Sequence, residues 1–235
     1  MQRVIIPEIL DSDECPPEEV ECSLRDLGRI NRWFGGVATT QALIERVARS
    51  TGKKHLSVLE VAAGFGEVPR LVSQRLARRG ITLDFTLLDR MRSHLRGDTQ
   101  SVVANALALP FRDGSFDVVS CNLFAHHLDP EELSRFVREA ARVSRCAVAV
   151  NDLVRHPLHL ALVYAAFPLM RSHVSRVDGV ASVRSAYVPA EIRAILASAF
   201  PPGSAVIEIF RQHLFRMGVT VWKDSAGGTA AGRRT

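Results

Sequence analysis

Cysteine is scarce: the 235 residues hold four, Cys15, Cys22, Cys121 and Cys146. None forms a C-x-x-C pair and no histidine stands at zinc-ligand spacing, so neither a disulfide framework nor a metal centre is expected, and reduced thiols in a cytoplasm are. Long apolar runs are missing too. The longest, LHLALVYAAFPLM at 158–170, is broken by a histidine and a proline and falls short of the ~20 residues that span a bilayer. No transmembrane segment is expected. The opening MQRVIIPEILDSDE turns acidic after a very short apolar stretch, unlike a secretory leader, which needs a basic start and a longer apolar run. Aromatic residues make up only 6% of the chain and do not interleave with runs of basic residues, so no nucleic-acid partner is expected.

What is present is ordinary globular composition, 47% hydrophobic and 23% charged. At this length one core buries roughly 70% of the unfolded surface without a covalent staple. The net charge of +5 conceals a division. Residues 8–26 carry eight acids, Glu8, Asp11, Asp13, Glu14, Glu18, Glu19, Glu21 and Asp26, against one base, Arg25. The remainder holds 29 bases and 17 acids, mostly single arginines that suit solvated helix faces.

Short β-rich runs recur at 56–62, 83–89, 100–106, 116–122 and 146–152. Each is apolar enough for a parallel strand buried on both faces. Between the first two, Val68, Leu71, Val72, Arg75, Leu76 and Arg79 follow helical spacing, and Gly80 supplies the stop. Pro130 opens a second crossover helix with Leu133, Phe136, Val137 and Ala140 on one face. The runs at 205–210 and 216–222 form a closing hairpin at the sheet edge. This alternation specifies an α/β fold, a Rossmann-like, doubly wound sheet of seven strands with an antiparallel last strand. Residues 1–54 read as an acidic segment and capping helices, and 55–224 as the main domain. Within that domain, 153–188 form a helical lid insertion longer than a plain crossover needs. The tail at 225–235 is rich in Gly, Ala and Ser and reads as disordered.

In such a sheet, ligands sit outside the carboxyl ends of the strands. The first such turn is EVAAGFGEVP at 60–69, where Gly64 and Gly66 let the backbone approach a ligand. Pro69 stands where a dinucleotide fingerprint needs its third glycine, and Glu67 puts negative charge where a pyrophosphate would rest. A ligand without phosphate fits better. Asp89, ending the second strand, can accept both hydroxyls of a ribose, and Asn105, ending the third, can accept from an adenine amino group.

The segments VLEVAAGFG (58–66), LLD (87–89), ANALALPFRDGSFDVVSCNLFAHHL (104–128) and REAARVSR (138–145) carry a resemblance. Over residues 56–152 the chain resembles class I S-adenosylmethionine-dependent methyltransferases, in particular the branch that includes ubiquinone and menaquinone biosynthesis methyltransferases. The resemblance implies S-adenosyl-L-methionine (SAM) as cofactor. It places Glu60, Ala62, Gly64 and Gly66 around the methionine part and Asp89 at the ribose. Arg90 and Met91 fall on one adenine face, Asn105 with the Ala106 amide at the adenine edge, and Asn122 at the methionine end. Two positions depart from the family pattern. Ala62 replaces the usual first glycine, a small change where the local φ is negative, and Asn105 replaces an aspartate, keeping the acceptor oxygen without the charge.

Methyl transfer needs an aligned nucleophile and the exclusion of water. If the acceptor is a phenol or an enolised carbon acid, a histidine can take its proton. His127 is the first candidate and His126 the second; both alternatively cap the following helix or pack on Phe124. Asp152 is expected to cap a helix or pair with Arg155, or else to orient such a histidine. In the lid, Leu158, Leu160, Leu162, Val163, Tyr164, Phe167, Leu169 and Met170 form either a pocket wall or a buried helix. A wall of that kind points to a small apolar or aromatic acceptor, phenolic, quinol or polyketide-like. Trp33 and Phe34 form either a flap over the cofactor or a hydrophobic anchor. A homodimer is a further expectation. The rival readings are a nucleic-acid or protein methyltransferase and a non-catalytic SAM-binding partner subunit. CNLFAHH after the fourth strand lacks the paired prolines and aromatic that amino methylation of bases calls for.

Overall fold

The computed structural model describes residues 1–12, 15–95 and 100–223. Asp13 and Glu14 of the acidic run, and the tail at 225–235, lie outside the described residues. Two helices come first, α1 (Pro17–Trp33) and α2 (Gly36–Thr51). Then follow β1 (His55–Val61), α3 (Glu67–Ala77), β2 (Thr82–Asp89), β3 (Ser101–Val103), β4 (Phe116–Asn122), α4 (Pro130–Val143) and β5 (Ser144–Leu153). The chain closes with α5 (Pro157–Ala165), α6 (His173–Ser185), α7 (Pro189–Ala199), β6 (Ala205–His213) and β7 (Arg216–Lys223).

The seven strands form one sheet in the order β3-β2-β1-β4-β5-β7-β6. β1 to β5 pair in parallel, while β7 runs antiparallel to both β5 and β6. The doubly wound reading and its antiparallel closing strand are therefore observed. The strand order reverses between β1 and β4, which is where a crevice opens at the carboxyl ends.

Alternation along the central strands explains why both faces are covered. Leu59, Val61, Val119, Cys121, Val148 and Val150 share one core cluster with Leu133 and Phe136 of α4 and Ile192 and Leu196 of α7. Leu56, Val58, Val118, Ala147 and Ala149 point the other way, against α2 and α3. α4 begins on a capping box, with Asp129 accepting from the Glu132 amide and Glu132 reaching back to the Asp129 amide. Phe136 is fully buried beneath it, and truncating it to alanine would cost roughly 3–5 kcal/mol. β3 is shorter than the sequence suggests, because Asn105 turns its side chain to accept from the Leu107 amide at 2.9 Å and the ladder stops.

The N-terminal strap, residues 1–12, meets α5 and α6 over the carboxyl ends of the strands. The amides of Ile9 and Leu10 donate to the Asp178 carboxylate of α6 at 2.8 and 3.0 Å. Asp26 of α1 accepts from the amides of Arg171 and Ser172 at 2.7 and 3.0 Å. Arg3 stacks on the Tyr187 ring and donates to the carbonyls of Ser185, His126 and Leu128.

Candidate active site

A cleft of about 490 Å³ lies at the carboxyl ends of β1, β2 and β4, a size ordinary for a small-molecule site. Glu60, Ala62, Gly64, Asp89, Arg90, Asn105, Ala106, Asn122, His126 and His127 all line it. Gly66 does not. It packs behind the loop, where an added Cβ would meet Leu87 Cδ1 at 2.6 Å.

The turn after β1 is held from the neighbouring strand. The Gly64 amide donates to Asp89 Oδ2 at 3.0 Å, and the Met91 amide donates to Asp89 Oδ1 at 3.0 Å. His94 Nδ1 stands 3.4 Å from the same carboxylate. Each oxygen of Asp89 retains acceptor capacity beyond these bonds. Ala62 has φ +54°, so the expectation that alanine is a small change there, conditional on a negative φ, is not met. A side chain in the left-handed region costs roughly 1–2 kcal/mol, which glycine avoids.

Glu60 is buried at 1% exposure, and its Oε2 has no hydrogen-bond partner among the described residues. Burial pushes its pKa up to about 7. An acid at that position is poised for a cationic partner, which would restore its charge. Asn105 is exposed at the rim. Arg90 donates to the Asp11 carbonyl at 2.8 Å, so the strap reaches this end of the cleft as well. Asn122 donates through Nδ2 to Asn31 Oδ1 at 3.2 Å, and its Oδ1 accepts from Arg216 at 3.1 Å. Arg216 is itself buried and lines the cleft, with burial bringing its pKa down to about 10.

The two histidines follow β4 in a short 3-10 turn, Ala125–His127, and differ in environment. His126 is 2% exposed, with Nδ1 2.7 Å from Asp152 Oδ1 and Nε2 3.3 Å from Glu8 Oε1. Burial opposes its charge, but the Asp152 and Glu8 carboxylates outweigh that and push its pKa up to about 10. His127 is partly exposed and rests Nδ1 2.7 Å from Asp11 Oδ2, while its Nε2 lies 3.7 Å from Glu8 Oε2. It also stacks on Phe124 at a centroid distance of 6.2 Å. Asp152 therefore serves His126 and not Arg155, which pairs instead with Glu191 at 2.6 Å.

Of the expected wall residues, Val163 and Met170 line the cleft. Leu158, Leu162, Tyr164 and Leu169 are about half exposed or more, and α5 has no buried residue, so it is neither a full wall nor a buried helix. Trp33 and Phe34 are exposed and take no part in the lining. Sequence reasoning missed Glu8, Asp11 and Arg216, and also the α1 residues Leu24, Leu27 and Asn31, all of which line the cleft. The partners of Glu8 and Asp11 lie more than a hundred positions along the chain, and the strap that carries the two acids has no periodic signal.

The strand order, with the crevice at its switch point, is that of an α/β Rossmann-like methyltransferase fold. Residues 59–146 match the family model described as a methyltransferase domain. No curated protein matches the sequence at a significant level. Among solved structures, the plantazolicin methyltransferase BpumL in complex with SAH is similar at 12% identity and a TM-score of 0.69, covering 92% of this chain and 93% of its own. Human N-acetylserotonin methyltransferase in complex with SAM aligns over 88% of this chain and 57% of its own, at 11% identity and a TM-score of 0.62. A SAM-dependent methyltransferase from Aquifex aeolicus aligns over 89% of this chain and all (100%) of its own, at 14% identity and a TM-score of 0.55. At these identities the likeness is one of fold. None of the helices of the described residues is long and apolar enough to cross a membrane.

Proposed function

We propose that this chain transfers the methyl group of SAM to a small apolar or aromatic acceptor of phenolic, quinol or polyketide-like chemistry. The observation that carries the reading is Glu60: a buried carboxylate on the cleft wall with one oxygen unpartnered, beside a loop whose backbone is open to a ligand. These residues fit SAM, whose amino-acid end brings an ammonium group. Bound there, SAM supplies a methyl group on a positively charged sulfur.

In this reading Glu60, the Ala62–Gly66 turn and Asn122 hold the methionine end. Asp89 accepts the ribose hydroxyls, Arg90 and Met91 lie on the adenine, and Asn105 with the Ala106 amide reads its edge. Asp89 is already fixed by two backbone amides, so little ordering is left to be done when the sugar arrives. The acceptor enters the other half of the cleft, between Leu24 and Leu27 of α1 and Val163 and Met170 of the lid segment 153–188. Those side chains exclude water from the reacting centre. Both ring nitrogens of His126 face carboxylates, so it positions its neighbourhood and does not exchange protons with an acceptor. The acceptor's proton is handled at His127, whose Nε2 has no hydrogen bond within reach of Glu8.

The test is a mass-spectrometric screen of the purified chain with SAM and a panel of phenolic, quinol, polyketide and fatty-acid acceptors, read for a mass gain of one methylene unit. Product from a phenolic or quinol acceptor, slowed by His127→Ala at unchanged SAH affinity, is expected. Turnover only on nucleic acid or protein overturns the acceptor assignment. SAH binding without turnover on any acceptor favours a non-catalytic subunit.

A further inference from the structure

Three residues with ligating side chains, Glu8, His126 and His127, converge at the cleft. His126 Nε2 lies 3.3 Å from Glu8 Oε1, and His127 Nε2 lies 3.7 Å from Glu8 Oε2. All three groups offer an atom within 4.8 Å of one another. His126 Nε2 and Glu8 Oε1 are hydrogen-bonded at 3.3 Å, whereas the 3.7 Å separation between His127 Nε2 and Glu8 Oε2 is too long for such a bond. A tetrahedral ion with bonds of about 2.0–2.1 Å sets its ligands about 3.4 Å apart, and the two imidazole–carboxylate separations, 3.3 Å to one oxygen of Glu8 and 3.7 Å to the other, lie on either side of that value.

The outer groups support the same arrangement. Asp152 holds His126 by Nδ1, and Asp11 holds His127 by Nδ1, each at 2.7 Å. Both imidazoles are thus anchored by a carboxylate on the far nitrogen, and both turn Nε2 inward. This is the way metal-binding histidines are oriented and made more basic. Ser182 donates its hydroxyl to Glu8 and steadies the third ligand. Two imidazoles and one carboxylate suit a divalent first-row transition ion better than magnesium or calcium, which prefer oxygen alone.

We propose that Glu8, His126 and His127 bind a divalent transition-metal ion in the acceptor half of the cleft, with Asp152 and Asp11 as positioning residues. The ion keeps a side toward the cavity, where a hydroxyl or carbonyl oxygen of the acceptor binds. The inference rests on the reading of this cleft as a methyl-transfer site and revises one part of it: with Nε2 on the ion, His127 is a ligand and not the proton acceptor, and the ion lowers the pKa of a bound hydroxyl so that its proton is released to water before the methyl group is transferred. Glu8 then has a purpose beyond charge neutralisation, since the strap that delivers it completes the site.

Untagged protein, stripped with chelator and dialysed, is titrated with cobalt(II) while visible absorption and bound metal are measured; SAH affinity is measured on the same samples. The expected result is one cobalt per chain at micromolar affinity or tighter, with ligand-field bands of a low-coordinate nitrogen and oxygen site. Glu8→Gln and His127→Ala each weaken binding at least tenfold while SAH affinity stays within twofold, and Asp11→Asn weakens it roughly tenfold. No stoichiometric binding overturns the proposal, as does equal affinity in both ligand variants. A thiolate charge-transfer band that survives in the variants places the ion on a cysteine and also overturns it. Absent cobalt binding with SAH binding intact sinks the ion site alone; absent SAH binding sinks the methyltransferase reading.

Discussion

Asp89 joins two strand-end turns: its Oδ2 accepts from the Gly64 amide at 3.0 Å and its Oδ1 from the Met91 amide at 3.0 Å. The carboxylate that is to meet the ribose also fixes the loop that is to meet the methionine end. Asp89→Ala is therefore expected to weaken SAH binding at least tenfold, about 1.4 kcal/mol. Asp89→Asn, which keeps an acceptor for only one amide, should fall between the two. Calorimetry on the three proteins decides; an alanine variant that binds as tightly as the parent removes the ribose assignment.

Glu60 predicts a pH dependence with a definite sign. Burial raises its pKa from 4.5 to about 7 in the free protein. A bound ammonium group favours the carboxylate, so below about pH 7 binding releases a proton and SAH affinity rises with pH, by up to about tenfold per unit. The same raised pKa affects stability in the opposite sense. Its contribution is fully present below 4.5 and is lost as pH rises through about 7. Glu60→Gln should flatten both profiles. A calorimetric series that keeps its slope in the variant would show that another group titrates.

Ala62 sits at φ +54° directly after β1. Ala62→Gly relieves a left-handed side chain worth roughly 1–2 kcal/mol, offset by the extra freedom glycine has when unfolded. A net gain of about 0.5–1 kcal/mol is expected, a rise of about 1–3 °C in Tm for a chain of this size. Scanning calorimetry of the two proteins checks it, and a lower Tm in the variant contradicts the strain.

The sheet was legible because β1, β4 and β5 are buried on both faces along most of their length, a pattern that a covered parallel sheet satisfies, while β2 is so only in its second half. The strand-end groups followed from that, since strand ends are where such a sheet opens. The lid segment was harder. LHLALVYAA is apolar on every side, so its periodicity cannot tell a wall from a core helix, and α5 instead presents much of that surface to solvent. Glu8 and Asp11 were legible only as charge. They reach the histidines because Ile9 and Leu10 dock on Asp178, a contact between residues nearly 170 positions apart that no local pattern encodes.

That docking yields the remaining prediction. The Asp178 carboxylate receives both strap amides, at 2.8 and 3.0 Å, in a buried position that pushes its pKa up to about 6. Hydrogen bonds to a charged acceptor contribute roughly 1.5–3 kcal/mol each. Asp178→Ala removes both acceptors at once, so that the Ile9 and Leu10 amides lose their partners while the strap stays tied by Arg3, by the Val4 and Ile6 amides and by the side chains of Glu8 and Asp11. Amide exchange at Ile9 and Leu10 should then accelerate at least tenfold, while α4, which the strap does not hold, keeps its protection. Glu8 and Asp11 travel with the strap, so the environment of His126 and His127 should change with it, seen as shifted imidazole resonances. Unaltered exchange at Ile9 and Leu10 would mean that Asp178 does not secure the strap, and that Glu8 reaches the histidines by some other restraint.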